Sequence, residues 1–438
     1  MKNAREIALH ILYDIEYNGA YSNIALKNTF LKNNDLSNLD KAFITRLVYG
    51  VVSFGLNLEY IISKKSKIRL KKISKHIMLI LKMGIYQIKY MDKVPESAAV
   101  NESVKLAKRY GHGASSGFVN GVLRYILKTD IEYPKDKIER LSVELSYPID
   151  LCKKWCDDFG YDFTKELLCI MNEEAMTTLR VNTLKTTKKE LCDEFLELTP
   201  SEIYENAVLV SGIDVSNSKM YKKGYVYPQD ISAMMASVVL NPKKNERVLD
   251  LCSAPGGKST HMAELMENEG EIVSVDIHEH KMSLIENNAK RLGIDIIKTK
   301  CMDSTVFLKD FENSFDKVLA DVPCTGLGII SKKPDIKWKA DEMSEIIKVS
   351  EKILTNALRY VKIGGEILFS TCTLNREENE LMLNKILKEH KNFEPVDITM
   401  DLPEVLRKDT AKSGYVTFYP NVDGIDGFFI AKLKRCSL

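Results

Sequence analysis

One stretch constrains this chain more than any other: Val248-Leu-Asp-Leu-Cys-Ser-Ala-Pro-Gly-Gly-Lys-Ser-Thr260. A short apolar run stops at Pro255-Gly256-Gly257, and helix-forming residues follow over 259–266. A strand, a tight turn and a helix in that order place a ligand at a helix N-terminus, where free N–H groups and the dipole attract an anionic group. Three ligand classes use such a junction. A phosphate loop, G-x-x-x-x-G-K-[ST], is nearly met at Gly257-Lys258-Ser259, but Cys252 stands where its leading glycine belongs. The dinucleotide pattern G-x-G-x-x-G is absent. S-adenosylmethionine carries no phosphate and needs only room for its amino-acid end. Taken alone, the stretch could also be an ordinary strand-to-helix turn.

From Arg247 onward strand and helix patterns alternate, which argues for a mostly parallel sheet with helices on both faces. Strands are expected over 247–251, 272–275 (ending at Asp276), 294–299 (leading to Asp303), 317–320 (ending in Asp321-Val-Pro-Cys324) and 366–370 (ending in Thr371-Cys-Thr373). The runs 415–419 and 428–432 read as a closing antiparallel pair. Ligands of such sheets bind outside the strands' carboxyl ends, where all the residues of chemical interest in this half fall.

At 438 residues, two or three domains are expected. With 45% hydrophobic and 28% charged residues and no membrane-length apolar run, a cytoplasmic globular protein is expected. Glu6, His10, Asp14 and Glu16 interrupt any signal-peptide core. Nine cysteines, an odd number, read as free thiols. Cys152 and Cys156 share a helix face without partners for a zinc site, and read as core thiols. Residues 1–150 hold 24 basic against 15 acidic side chains, and the remainder 39 against 46. A basic N-terminal third therefore points to a polyanionic partner engaged mainly there.

That third reads as helices over 3–17, 23–31, 40–60, 75–90, 98–110 and 116–127. Residues 64–75 hold seven lysines and arginines, which suit either a solvated face or RNA phosphates. Ala4-Arg5, Gly50, Val100-Asn-Glu102 and Phe118-Val-Asn-Gly-Val-Leu-Arg124 together resemble the NusB-like RNA-binding helical domain. Residues 130–148 read as a linker, and 151–239 as a small α+β unit. Within it Arg180, Asn182 and Lys185 could face RNA or be ordinary strand-edge polar groups.

Asp276 could accept hydrogen bonds from both ribose hydroxyls of an adenosine ligand or simply cap the next helix. Asp303 could receive an adenine amino group. Cys324 and Cys372 bring two thiols to one sheet edge, where a thiolate can add to carbon 6 of a pyrimidine and activate carbon 5 for methyl transfer. That scheme needs a group at the N3 edge, which Asp321 fits, and thiol activation, expected from helices opening soon after both cysteine turns. Lys258 faces the cofactor or the RNA, or serves the helix start.

In order, Tyr227-Pro-Gln-Asp230, Asp250 to Lys258, Asp276, Asp303, Asp321-Val-Pro-Cys-Thr-Gly326, Pro334-Asp335 with Trp338, Ser370-Thr-Cys-Thr373 and Asp426-Gly-Phe-Phe429 resemble the RNA 5-methylcytosine methyltransferase family. The matching group joins a NusB-like domain to the catalytic sheet. The resemblance implies three parts: an all-α NusB-like bundle at 1–130, a linker and small α+β unit at 131–239, and an α/β Rossmann-like class I methyltransferase at 240–438. It implies methylation of carbon 5 of a 16S ribosomal RNA cytosine, at position 967, with Cys372 as nucleophile and Cys324 assisting product release. Cys252, Ser253, Ala254, Pro255, Gly256, Gly257, Lys258, Asp276, Asp303 and Asp321 would bind S-adenosylmethionine. No metal is expected. The partner would be 16S RNA or a small-subunit assembly intermediate, met by a monomer. The alternatives are another RNA such as tRNA, a DNA cytosine methyltransferase, or a non-catalytic assembly factor. Leu327 departs from the family's usual small polar residue.

Overall fold

A computed structural model of the chain describes residues 3–33, 35–174, 176–338 and 343–437. It divides into two compact units: residues 1–173 with 330–339, and 174–329 with 340–438.

The first unit is helical. Its core is built by α1 (Ala4–Asn18), α2 (Ser22–Lys32), α3 (Asn38–Ser53), α4 (Gly55–Lys65), α5 (Lys75–Tyr90), α6 (Glu96–Tyr110) and α7 (Ser115–Ile126). The apolar face read over 3–17 is buried at Ile7, Ala8, Ile11 and Leu12. The single helix expected over 40–60 breaks at Phe54, whose φ of −97° and ψ of 16° leave the helical region ahead of Gly55. Gly50 lets α3 approach α5 closely, since a Cβ there would lie 1.8 Å from the Tyr86 ring. Lys82, 3% exposed on α5, is held by Glu16 at 2.8 Å and Glu59 at 2.7 Å.

Residues 130–148, read as a linker, contain α8 (Lys137–Leu145). Asp136 caps it by accepting from the Ile138 and Glu139 amides, so a charged stretch becomes a stable helix start. Helices α9 (Ile149–Phe159) and α10 (Tyr161–Ile170) complete the unit. The returning segment contributes the 3-10 helix Pro334–Trp338, which packs on α3. There the fully buried Lys337 donates to the Ser53 carbonyl at 2.6 Å and lies 4.1 Å from the Tyr147 ring centre.

The second unit holds two sheets. Strands β1 (Thr177–Val181), β2 (Thr199–Pro200), β3 (Ala207–Val210) and β4 (Val226–Pro228) form an antiparallel sheet in the order β2-β3-β1-β4, with short helices α11 (Lys188–Glu194) and α12 (Lys219–Lys222). Helix α13 (Ile231–Leu240) leads into β5 (Arg247–Asp250), α14 (Gly257–Leu265), β6 (Glu271–Asp276), α15 (Glu279–Leu292), β7 (Ile297–Cys301), β8 (Phe315–Asp321), α16 (Met343–Tyr360), β9 (Val361–Thr371), α17 (Glu380–Glu389), β10 (Phe393–Pro395), β11 (Tyr415–Phe418), α18 (Pro420–Asp423) and β12 (Phe428–Arg435). The larger sheet runs β10-β12-β9-β8-β5-β6-β7. Strands β5 to β9 pair in parallel, while β12 pairs antiparallel with β9, β10 and β11. The chain winds outward from β5 through β6 to β7, then crosses back to β8 and β9. The crevice between β5 and β8 is therefore the switch point where such sheets take ligands.

Candidate active site

The turn after β5 is fixed from several sides. Ser253 donates through its amide and its hydroxyl to the Val275 carbonyl of β6, at 2.8 and 2.9 Å. Gly256 takes φ +99°, a conformation side chains disfavour, and begins α14. Arg180 lies beneath. Its guanidinium is fully buried, pairs with Glu264 through both carboxylate oxygens at 2.9 and 3.0 Å, and donates to the Gly257 carbonyl at 2.6 Å and Thr260 Oγ1 at 2.9 Å. It also donates to Gln229. Neither solvent-facing reading of this residue holds. Asn182 is likewise buried, donating to the Gly224 and Leu292 carbonyls, and Lys185 donates to the Lys223 and Arg291 carbonyls. Arg180 and Asn182 are thereby spent inside the protein, while Lys185 stays exposed at the surface.

A cleft opens at the ends of β5 and β8, lined by Tyr227, Pro228, Gln229, Asp230, Ala233, Asp250, Cys252, Ser253, Ala254, Pro255, Gly257, Lys258 and Asp321. Asp250 is buried at its back. One carboxylate oxygen accepts from Ser259 at 2.5 Å, and Ser274 supports Ser259 at 2.8 Å. The other oxygen has no hydrogen bond of ordinary geometry among the described residues, nor has the Gln229 amide nitrogen. Burial, reinforced by the nearby Asp321 charge, pushes the Asp250 carboxyl up to about 7. Asp276 and Asp303 are not among the lining residues. Asp276 ends β6, accepting from the His278 amide at 3.0 Å, with Lys281 at 3.6 Å. Asp303 follows β7 and accepts from the amide and hydroxyl of Thr305 at 2.9 and 2.7 Å.

Parallel β8 and β9 deliver the two thiols side by side, with Cys324 Sγ 3.3 Å from Cys372 Sγ. At the end of β8, Asp321 accepts from Lys258 Nζ and from the Ser370 hydroxyl, each at 2.7 Å. Burial opposes the Lys258 charge, but Asp321 outweighs it, with Cys372 and Asp250 adding to the effect, and the ammonium is stabilised. Lys258 also lies over the Phe428 ring at 5.2 Å. The hydrogen bond to Cys372, then burial, then the charges of Glu378 and Asp321 hold the Cys324 thiol well above its ordinary pKa. The Lys258 ammonium also interacts electrostatically with Cys372. Among the described residues no helix begins directly after either cysteine in the chain, where helix-terminus activation was expected: the next are Pro334–Trp338 and Glu380–Glu389. Gly328 donates to the Cys372 carbonyl and accepts from the Gly427 amide, both at 2.9 Å, which places the Asp426-Gly427 motif against the thiol turn.

Sequence reasoning misses Arg180 as an anchor, Asp250 as a cleft residue and Glu378. For Glu378 one signal is present: Asn375-Arg-Glu-Glu-Asn379 is a polar run between two buried elements, where such groups need partners.

A doubly wound sheet with its cleft and paired thiols at the strands' carboxyl ends is a Rossmann-like methyltransferase architecture. Residues 237–434 match the family model described as 16S rRNA methyltransferase RsmB/F, and residues 2–128 match the NusB family. The chain is 37% identical over 445 residues to the probable ribosomal RNA small subunit methyltransferase B of Bacillus subtilis, covering 99% of both chains. It is 32% identical to the corresponding protein of Synechocystis sp., covering 99% of this chain and 100% of that one. The solved structure of PH0851 superposes with a TM-score of 0.81 at 26% identity, covering 98% of this chain and 97% of the other. NSun6 from Pyrococcus horikoshii shares the fold over 66% of this chain and 99% of its own, at a TM-score of 0.60 and 22% identity. The chain belongs to the RsmB/F family of 16S rRNA methyltransferases.

Proposed function

We propose that the protein methylates carbon 5 of a cytosine in 16S ribosomal RNA, cytosine 967 on the family resemblance, using S-adenosylmethionine and a transient bond between Cys372 and the base. The observation that carries the reading is the thiol pair, 3.3 Å apart and beside the cleft. The relatives' names, which specify ribosomal RNA of the small subunit, support the substrate class.

The cleft suits the cofactor. Among the described residues, a buried Asp250 carboxylate oxygen with no hydrogen bond of ordinary geometry suits its ammonium group, and the Gln229 amide nitrogen, in the same state, suits a carboxylate. Residues 252–258 would frame the amino-acid end, Asp276 the ribose and Asp303 the adenine. S-adenosylmethionine, when bound, supplies an electrophilic methyl group.

The chain's residues do the rest. Lys258 favours the Cys372 thiolate, which adds to carbon 6 and makes carbon 5 nucleophilic. The Lys258–Asp321 pair carries the proton that neutralises N3 as that bond forms. After methylation the carbon 5 proton is lost, the Cys372–carbon 6 bond breaks, and Cys324 protonates the departing sulfur. In the same step the proton lost from carbon 5 restores the Cys324 thiol, the N3 proton returns to the Lys258–Asp321 pair, and the Cys372 thiol then loses to solvent the one proton that methyl transfer releases. The base must leave its stack to present both ring carbons. The basic N-terminal unit supplies phosphate contacts that position the RNA. Bisulfite sequencing of ribosomal RNA from a strain lacking the protein tests the assignment. Loss of one protected cytosine, at 967, is expected, and an unchanged pattern would sink it.

A further inference from the structure

Behind the two thiols lies a buried carboxylate that the scheme above does not use. Glu378 is 3% exposed and sits between the two cysteine turns. One of its oxygens accepts from the Thr325 amide at 2.8 Å. The other accepts from the Thr325 hydroxyl at 2.6 Å and the Asn375 side-chain amide at 2.9 Å. Thr325 follows Cys324. The Thr325 hydroxyl is also 2.8 Å from that of Thr373, which follows Cys372 and is itself fully buried. The Thr373 hydroxyl thus lies 2.8 Å from that of Thr325 and 3.5 Å from the same Glu378 oxygen, so Glu378 reaches both residues. On the other flank, Asn379 donates to the Thr373 carbonyl at 2.9 Å and accepts from Thr371 at 2.5 Å, holding the β9 end.

We infer that Glu378 is a positioning residue that sets the spacing of the two thiols by clamping the residue that follows each of them. Charge-assisted hydrogen bonds in a buried site are strong and directional, which suits a clamp on two loops from different strands. A fixed sulfur–sulfur distance matters because one thiol must hand a proton to the other as it leaves carbon 6. The inference rests on the two-thiol reading above for its consequence, but not for its geometry.

Dibromobimane, a short bis-alkylating reagent, reads that geometry without RNA or cofactor, through the yield of Cys324–Cys372 cross-linked peptide. Glu378→Gln should lower the yield at least about fivefold while alkylation of exposed Cys301 and Cys436 is unchanged. Thr325→Val, which cuts the same hydrogen-bond network from the other loop, should do likewise, and the double variant should lose no more than either single one. In methylation assays both variants should lower kcat about tenfold or more, with RNA KM and S-adenosylmethionine Kd within about twofold of wild type. An unchanged cross-linking yield in either soluble variant overturns the inference. So does a loss of activity matched by an equal loss of cofactor affinity, which would mark a merely structural role. If Cys372→Ala enzyme still methylates RNA, the covalent reading fails while the cross-linking result still judges the clamp.

Discussion

Arg180→Met tests how the cofactor turn is held. The buried guanidinium makes two hydrogen bonds to Glu264 and three more to Gly257, Thr260 and Gln229. Removing it leaves the Glu264 carboxylate buried without its cation, a change that costs about 3–5 kcal/mol. Burial already pushes the Glu264 carboxyl up and Arg180 opposes that, so protonation of Glu264 limits the loss. For a unit of this size the cost corresponds to a fall in Tm on the order of 10 °C. Calorimetry would follow the transition of the second unit, and isothermal titration the binding of S-adenosylmethionine. Arg180→Met with Glu264→Leu removes both charges and should recover most of the Tm. The Gly257 carbonyl and Thr260 hydroxyl would still lack their donor, so cofactor affinity should stay weakened. A Tm change under about 2 °C in the single variant, or a double variant no more stable than the single, would refute the argument.

Asp250 gives a pH signature. Its folded pKa of about 7 lies above the ordinary 3.8, so its contribution to stability is full below about pH 4 and falls as pH rises through 7, by roughly 4 kcal/mol. A bound ammonium group favours the ionised form, so S-adenosylmethionine affinity should rise with pH up to about 7 and level off above it. Asp250→Asn should flatten that profile, and a slope that survives the substitution would remove Asp250 from the site. In the first unit Lys64, Lys67, Arg69, Lys71, Lys72 and Lys75 are exposed. Reversing their charge should reduce the salt dependence of RNA binding by about 0.7–0.9 for each phosphate no longer neutralised. An unchanged slope would show that the run does not touch phosphates.

The parallel sheet was legible because buried parallel strands read as short apolar runs, each ended by a polar or turn residue: Asp250, Asp276, Asp321 and Cys372 all fall where such a run stops. The thiol pair followed from that register, since parallel β8 and β9 carry Cys324 and Cys372 to one edge. Groups whose role depends on long-range burial were not legible. Arg180 and Asn182 stand in a strand that reads as half-exposed, and only the packing of β1 against loops 42 to 110 residues away in sequence satisfies them. Glu378 looks like one more acid in a polar loop until the turn after Cys324, 53 residues earlier, closes over it. Helix α8 was hidden because its charges resemble a linker's, and its start depends on one capping aspartate.

Two neighbouring thiols divide the work of bond formation and release in this mechanism. Purified Cys324→Ala and Cys372→Ala enzymes, incubated with the substrate RNA and S-adenosylmethionine and separated under denaturing conditions, test it most directly. Cys324→Ala should remain bonded to methylated RNA as a denaturation-resistant adduct, and Cys372→Ala should form none and methylate nothing. An adduct with Cys372→Ala would reverse the two roles, and full turnover by Cys372→Ala would contradict covalent catalysis by this pair.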